Sequence, residues 1–177
     1  GKAITLGLAG VGVNVIVNYN ASAESAQDTV EEARSLGVGA ISVQANIASC
    51  AQVQSMVDAT MERFGTVDIL VNSASSFKKT GFPTNNPEDW RTITDILIHG
   101  AFHCANTVAP FMLKQGAGVM VNIVDMLAMY PRPGYMAHSV GKAALLALTR
   151  QLAVDLAPQV RVNAVCPGPV LPPEHYS

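Results

Sequence analysis

Asp68-Ile69-Leu70-Val71-Asn72 is the stretch whose reading decides the fold. It is a short, unbroken apolar run that ends in an amide and gives way to a polar loop. A strand wetted on one face alternates apolar and polar residues, whereas an unbroken run predicts a strand covered on both faces. Four more short, apolar-rich strand segments lie along the chain: Val13 to Val17, Ala40 to Ala45, Val119 to Val124 and Val160 to Val165.

Helical patterns separate them. Residues 1–11 carry Ile4, Leu6, Leu8 and Ala9 as apolar positions. Ser22 is placed to cap a helix through Ala26, Val30 and Ala33 to Leu36, stopping at Gly37. Ser49 and Gln52 have capping-box spacing and open a helix that ends at Gly65. Asn86-Pro87-Glu88-Asp89 supplies a cap, a proline at the first helical position and two acids for the first turn, predicting a long helix to about Lys114. A last helix is expected over 137–157, before Pro158. Strand and helix in alternation predict an α/β fold: a doubly wound parallel sheet between two helical layers, with ligands beyond the carboxyl ends of the strands. A sheet of this kind that opens on a helix lacks a central strand, so residues 1–177 are expected to be a single domain that is incomplete.

Composition narrows the function. With 49% hydrophobic residues, 14% charged residues and a net charge of −2, the chain can build a core but has no basic footprint for nucleic acid or an anionic membrane. No uninterrupted apolar run reaches the roughly 20 residues of a membrane span. Cys50, Cys104 and Cys166 are scattered and odd in number, which fits a reducing, cytoplasmic setting better than a disulfide framework.

Three motifs now stand in order: Val67-Asp68-Ile69-Leu70-Val71-Asn72-Ser73-Ala74-Ser75, Asp125 with Lys142 seventeen residues on, and Arg161-Val162-Asn163-Ala164-Val165-Cys166-Pro167-Gly168. Together they resemble the short-chain dehydrogenase/reductase family over nearly the whole chain. Gly1-Lys2-Ala3-Ile4 is similar to the end of the family's glycine-rich turn and the start of its first helix, with Gly1 as the last glycine of that turn. The resemblance implies a Rossmann-type dinucleotide-binding domain whose first strand and C-terminal substrate-binding elements lie outside 1–177. Within the family, Asn72 to Phe77 and Asp125 look like the pteridine-reductase branch, and the 3-oxoacyl-carrier-protein reductases are a close second.

The resemblance also implies a nucleotide site. The segment Asn18-Tyr19-Asn20-Ala21-Ser22 ends the first strand of this chain without a carboxylate, which favours NADP over NAD. Backbone N–H groups and the Ser22 hydroxyl at a helix N-terminus suit a 2′-phosphate. Asn46 and Ile47 correspond to the adenine pocket, Asn72, Ser73, Ala74 and Ser75 to the adenosine turn, and Pro167, Gly168 and Val170 to the nicotinamide side. Lys142 would hold the nicotinamide ribose.

For catalysis the family uses a tyrosine as proton donor, the lysine, a serine and an asparagine. Placed on this sequence these positions are His138, Lys142, Asp125 and Leu97, so only the lysine matches. Imidazole donates protons near neutral pH, and Asp125 is a suitable partner for it. Tyr135 shares a helix face with Lys142 and offers a second hydroxyl. Three readings stay open: His138 donates, Tyr135 takes over, or neither does and the chain binds nucleotide without hydride transfer. A Ser139-His138-Asp125 triad is excluded, because adjacent helical residues point about 100° apart. His99 and His103 lack a third ligand and read as ordinary core or interface histidines, with no metal implied. Met120 reads as core, while Met126, Met129 and Met136 are candidates for an apolar substrate pocket. The family resemblance further implies a small-molecule substrate and a homotetramer or homodimer built on the two long helices.

Overall fold

Helix and strand alternate as the apolar pattern predicts in the computed structural model, which describes residues 1–168. The order is α1 (Lys2–Ala9), β1 (Val15–Tyr19), α2 (Ala23–Ser35), β2 (Ala40–Gln44), α3 (Cys50–Phe64), β3 (Ile69–Asn72), α4 (Pro87–Thr94), α5 (Ala101–Gln115), β4 (Gly118–Ile123), α6 (Met136–Asp155) and β5 (Val160–Val165). Val170 lies outside the described residues.

Every strand pairing is parallel. The five described strands form two sheets, β1-β2 and β3-β4-β5. A cleft of about 740 Å³ lies between β1 and β3, lined by residues of both strands and by α1. Helices α1 and α2 pack on each other and on the first sheet, while α5 and α6 cover the second and α3 touches both β2 and α5. This is the Rossmann-like α/β architecture.

The two sheets are packed differently. Beside β1-β2 the core is small: Ala9, Val15, Val30, Ala33 and Ala40. Over β3-β4-β5 it is built from Met112, Met120, Leu156, Val108, Val160 and Val162. Met120 is fully buried, as its expected core role requires.

Local chemistry sets the helix ends, with two departures from expectation. Gly37 and Gly65 adopt positive φ just past α2 and α3, which only glycine does cheaply. Ser49 Oγ accepts from the Gln52 N–H, but the Gln52 side chain accepts from the Asn46 N–H instead of closing the box on Ser49. Ser22 and Asn86 precede their helices without making a side-chain cap.

The long helix predicted from Pro87 is present, but it widens into a π-helical turn over Asp95–Gly100 between α4 and α5. Close packing accompanies that turn. A Cβ on Gly100 would stand 2.6 Å from Ile47, and one on Gly141 would stand 2.7 Å from Leu97. The whole helix, Pro87–Gln115, is long and apolar enough by composition to cross a membrane, unlike the shorter uninterrupted runs counted from sequence. Its apolar residues Ile93, Leu97, Cys104, Val108 and Met112 are instead buried inside the protein.

Candidate active site

The site forms where β4 ends. After Ile123 the chain turns through Asp125 into a single 3-10 turn, Met126–Ala128, and Asp125 Oδ1 accepts from the Leu127 N–H at 2.8 Å. That bond holds the carboxylate at the mouth of the sheet. Its other oxygen, Oδ2, lies 3.2 Å from Nε2 of His138. His138 sits on the first turn of α6 and is only 2% exposed. Its Nδ1 faces the Ser76 carbonyl oxygen at 3.2 Å.

Both ring nitrogens face acceptors. A carbonyl oxygen only accepts, so Nδ1 carries a hydrogen. The proton on the other side of the ring, between Nε2 and Asp125, is then the one available for transfer.

One helical turn later, Lys142 is 3% exposed and donates to the Ile123 carbonyl at 2.6 Å. Burial pushes its ammonium below the ordinary range, while the charges of Asp125 and then Cys166 act to hold it up. Asp125, His138 and Lys142 thus converge as the sequence predicts. Pro167 joins them, because its carbonyl accepts from the Met126 N–H at 3.1 Å, and Gly168 follows beside Met126. Tyr135 precedes α6, and its ring stacks on Phe77 at 4.8 Å. Phe77 in turn sets its edge against His138 at 4.9 Å. Leu97 is 1% exposed and packs with Ile93 and Ala137, so the position matched to the family's asparagine is apolar and dry.

Behind the site runs a buried amide chain. Asn72 Nδ2 donates to Asn122 Oδ1 at 2.9 Å, and Asn122 Nδ2 donates to Thr149 Oγ1 at 2.8 Å. The Thr149 hydroxyl donates to the Leu145 carbonyl at 2.8 Å. It ties the end of β3 to β4 and α6.

Most of the described residues matched to the nucleotide site line the cleft between β1 and β3. Gly1, Asn18, Tyr19, Ser22, Ile47, Asn72, Ser73 and Ala74 all line it, whereas Asn20, Asn46 and Ser75 stand outside its lining. The Ser22 hydroxyl caps nothing and is free for a ligand. The Asn18 amide donates to the Ala45 carbonyl, tying β1 to the end of β2. The Asn46 amide oxygen accepts from the Ala48 N–H at 3.0 Å, so only its second lone pair remains for an adenine amine. With free backbone and hydroxyl donors, a neutral strand end and a buried lysine, the residues fit a dinucleotide.

Sequence reasoning missed two participants, Ser76 and Thr80. The first acts through a carbonyl that every residue carries, so no sequence signal could reveal it. Among the described residues Ser139 makes no bond to His138, and its hydroxyl is buried without a partner. His99 pairs with Asp95, and His103 with the Ile47 carbonyl. Of the candidate pocket methionines, Met129 and Met136 are exposed, and Met136 lines a shallow groove with Thr80, Phe82 and Ser139.

The profile of the short chain dehydrogenase family matches residues 1–175. A 3-oxoacyl-[acyl-carrier-protein] reductase of Synechocystis sp. is 38% identical over 169 residues, covering 95% of this chain and 68% of that protein. Among solved structures, an NAD+-bound xylitol dehydrogenase superposes with a TM-score of 0.93 at 31% identity, covering 98% of this chain and 67% of its own. A gluconate 5-dehydrogenase from Burkholderia cenocepacia, in complex with NADP and tartrate, superposes with a TM-score of 0.86 at 29% identity, covering 95% and 67%. Profile, sequence and superposition agree with the motifs and the parallel α/β fold: the chain belongs to the short-chain dehydrogenase/reductase family of oxidoreductases.

Proposed function

We propose that this chain is an NADP(H)-dependent reductase of a carbonyl or pterin-type small molecule, in which His138 replaces the family's tyrosine as proton donor. The observation that carries the reading is the His138 ring held between two acceptors, the Ser76 carbonyl and the Asp125 carboxylate. When bound, the nicotinamide supplies the hydride. His138, carrying hydrogens on both ring nitrogens, shifts its Nε2–H from Asp125 Oδ2 to the substrate oxygen and is left a neutral imidazole, with Asp125 orienting the ring and balancing its charge before transfer. Lys142 is placed to bind the nicotinamide ribose, with its ammonium anchored on the Ile123 carbonyl. The face that Phe77 and Tyr135 present beside His138 supports a flat ring as substrate, in keeping with the pteridine-reductase-like reading. The neutral end of β1 and the free Ser22 hydroxyl support NADP over NAD.

Phe102 and Leu113 on α5, with Val140 and Val154 on α6, are exposed and support a homodimer or homotetramer formed on these helices. The scattered cysteines support a cytoplasmic setting.

NADPH oxidation by wild type and His138→Ala, screened over carbonyl and pterin substrates, tests the reading. A loss of roughly 10²- to 10⁴-fold in kcat is expected for the variant. Undiminished turnover by His138→Ala would sink the assignment of the donor. Leu97, dry where the family has asparagine, favours a second reading of nucleotide binding without hydride transfer. That reading wins if wild type binds NADPH but is inactive on every substrate, while His138→Tyr turns over.

A further inference from the structure

Helix α6 carries His138 on its first turn, and that turn is not capped from its own flank. Tyr135 stands at the cap position and contributes no side-chain bond. The N–H groups of Met136 and Ala137 therefore need partners from elsewhere. One residue supplies both. The Thr80 carbonyl accepts from Met136 N–H at 3.2 Å, and Thr80 Oγ1 accepts from Ala137 N–H at 3.0 Å. Thr80 also donates its own N–H to the Gly134 carbonyl at 2.7 Å and is only 8% exposed. Gly134 turns with φ +82°, which brings the backbone alongside Thr80.

Four residues earlier in the same loop, the Ser76 carbonyl accepts from His138 Nδ1. Phe77, between the two, packs against the Tyr135 and His138 rings. The loop after β3 thus grips residues 134–138 through one cap, one bridge, the Ser76–His138 bond and two ring contacts. It begins at Asn72–Ser75, the turn matched to the adenosine.

We infer that Thr80 is a positioning residue for His138: it caps α6 from 57 residues away and so sets the ring's place between Ser76 and Asp125. It touches neither substrate nor cofactor, and acts only by fixing the first turn of α6. The inference rests on His138 being the proton donor.

Thr80→Val and Thr80→Ser in the intact protein test it. The valine keeps the shape and removes the acceptor, while serine restores it. For Thr80→Val, kcat should fall about fivefold to tenfold, with NADPH affinity unchanged and the ¹⁵N signals of the His138 ring displaced. Thr80→Ser should return both to near wild type. Wild-type kcat and ring signals in Thr80→Val, or equal impairment in Thr80→Ser, would overturn the inference. Hydrogen exchange of the Ala137 amide in wild type gives a measure independent of any variant: slow exchange is expected, and exchange as fast as in an uncapped turn overturns it. The ring signals and the Ala137 amide report on Thr80 without turnover. Full activity of His138→Ala would therefore remove the functional reading while the cap itself is still judged by these two measurements.

Discussion

The two sheets of this molecule are built from different material. Around β1-β2, which bears the residues matched to the nucleotide, the core is three alanines and two valines. Around β3-β4-β5, which α6 and His138 pack against, it is methionine, leucine and valine, backed by the buried chain from Asn72 to Thr149. Buried apolar area drives folding at about 25 cal/mol per Å². The alanine-rich cluster has less to contribute than the methionine- and leucine-rich one, although β2 also packs a second cluster of Ala45, Ile47, Val53 and Met56. The donor site is rigid because its side chains already have partners. The nucleotide site is receptive because some of its polar groups, such as the Ser22 hydroxyl, do not.

Substitutions that separate the two sides should show this difference. Met112→Ala opens a cavity in the larger core and is expected to cost about 2–5 kcal/mol in urea denaturation. Val30→Ala removes less from the smaller core, about 2 kcal/mol, and its effect should appear first as faster amide exchange in β1 and β2. If Val30→Ala destabilised the protein as much as Met112→Ala, the two halves would not differ in this way.

Asp125→Asn removes the charge beside His138 and should lower kcat about tenfold to a hundredfold, with little change in NADPH affinity. A loss confined to cofactor binding would place Asp125 on the other side of the comparison.

Lys142 gives a smaller effect with a definite sign. Its folded-state pKa lies below the unfolded value of 10.5, so in the window just under 10.5 the unfolded chain binds more protons. Stability contributed by this group should therefore rise with pH through that window, and Lys142→Met should abolish the rise in the urea midpoint. A midpoint that falls with pH in wild type and not in the variant would contradict the sign.

The cysteines report the smallest difference. Cys104 is buried, with its thiol pushed up to about 11, and should resist alkylation until the protein unfolds, whereas exposed Cys50 should react at once. Equal labelling under native conditions would show that the α5 face is open.

Much of this was legible in the chain. Local preferences suffice where one segment decides its own state: apolar runs for the strands, Gly37 and Gly65 for the ends of α2 and α3, and the spacing of Asp125, His138 and Lys142 for the site. They failed for the Ser49–Gln52 box and the Ser22 cap, where the nearby Asn46 N–H or solvent competes for the same side chains. The π-helical turn beside Leu97 was equally hidden. It packs against Gly141, and Ile47 packs against Gly100, so its setting is made by residues far along the chain.

By itself, then, the sequence determined the order of the elements, the family and which side chains are candidates for the site, because these depend on periodicity and on residue type at fixed spacing. Tertiary structure alone decided that His138 lies between Ser76 and Asp125, and that Thr80 caps its helix. Those contacts join atoms 62 and 57 residues apart, and use a backbone carbonyl and a threonine hydroxyl that no local pattern distinguishes from any other. Which proton His138 can give is thus set by its neighbours in space, one of which no reading along the chain could name.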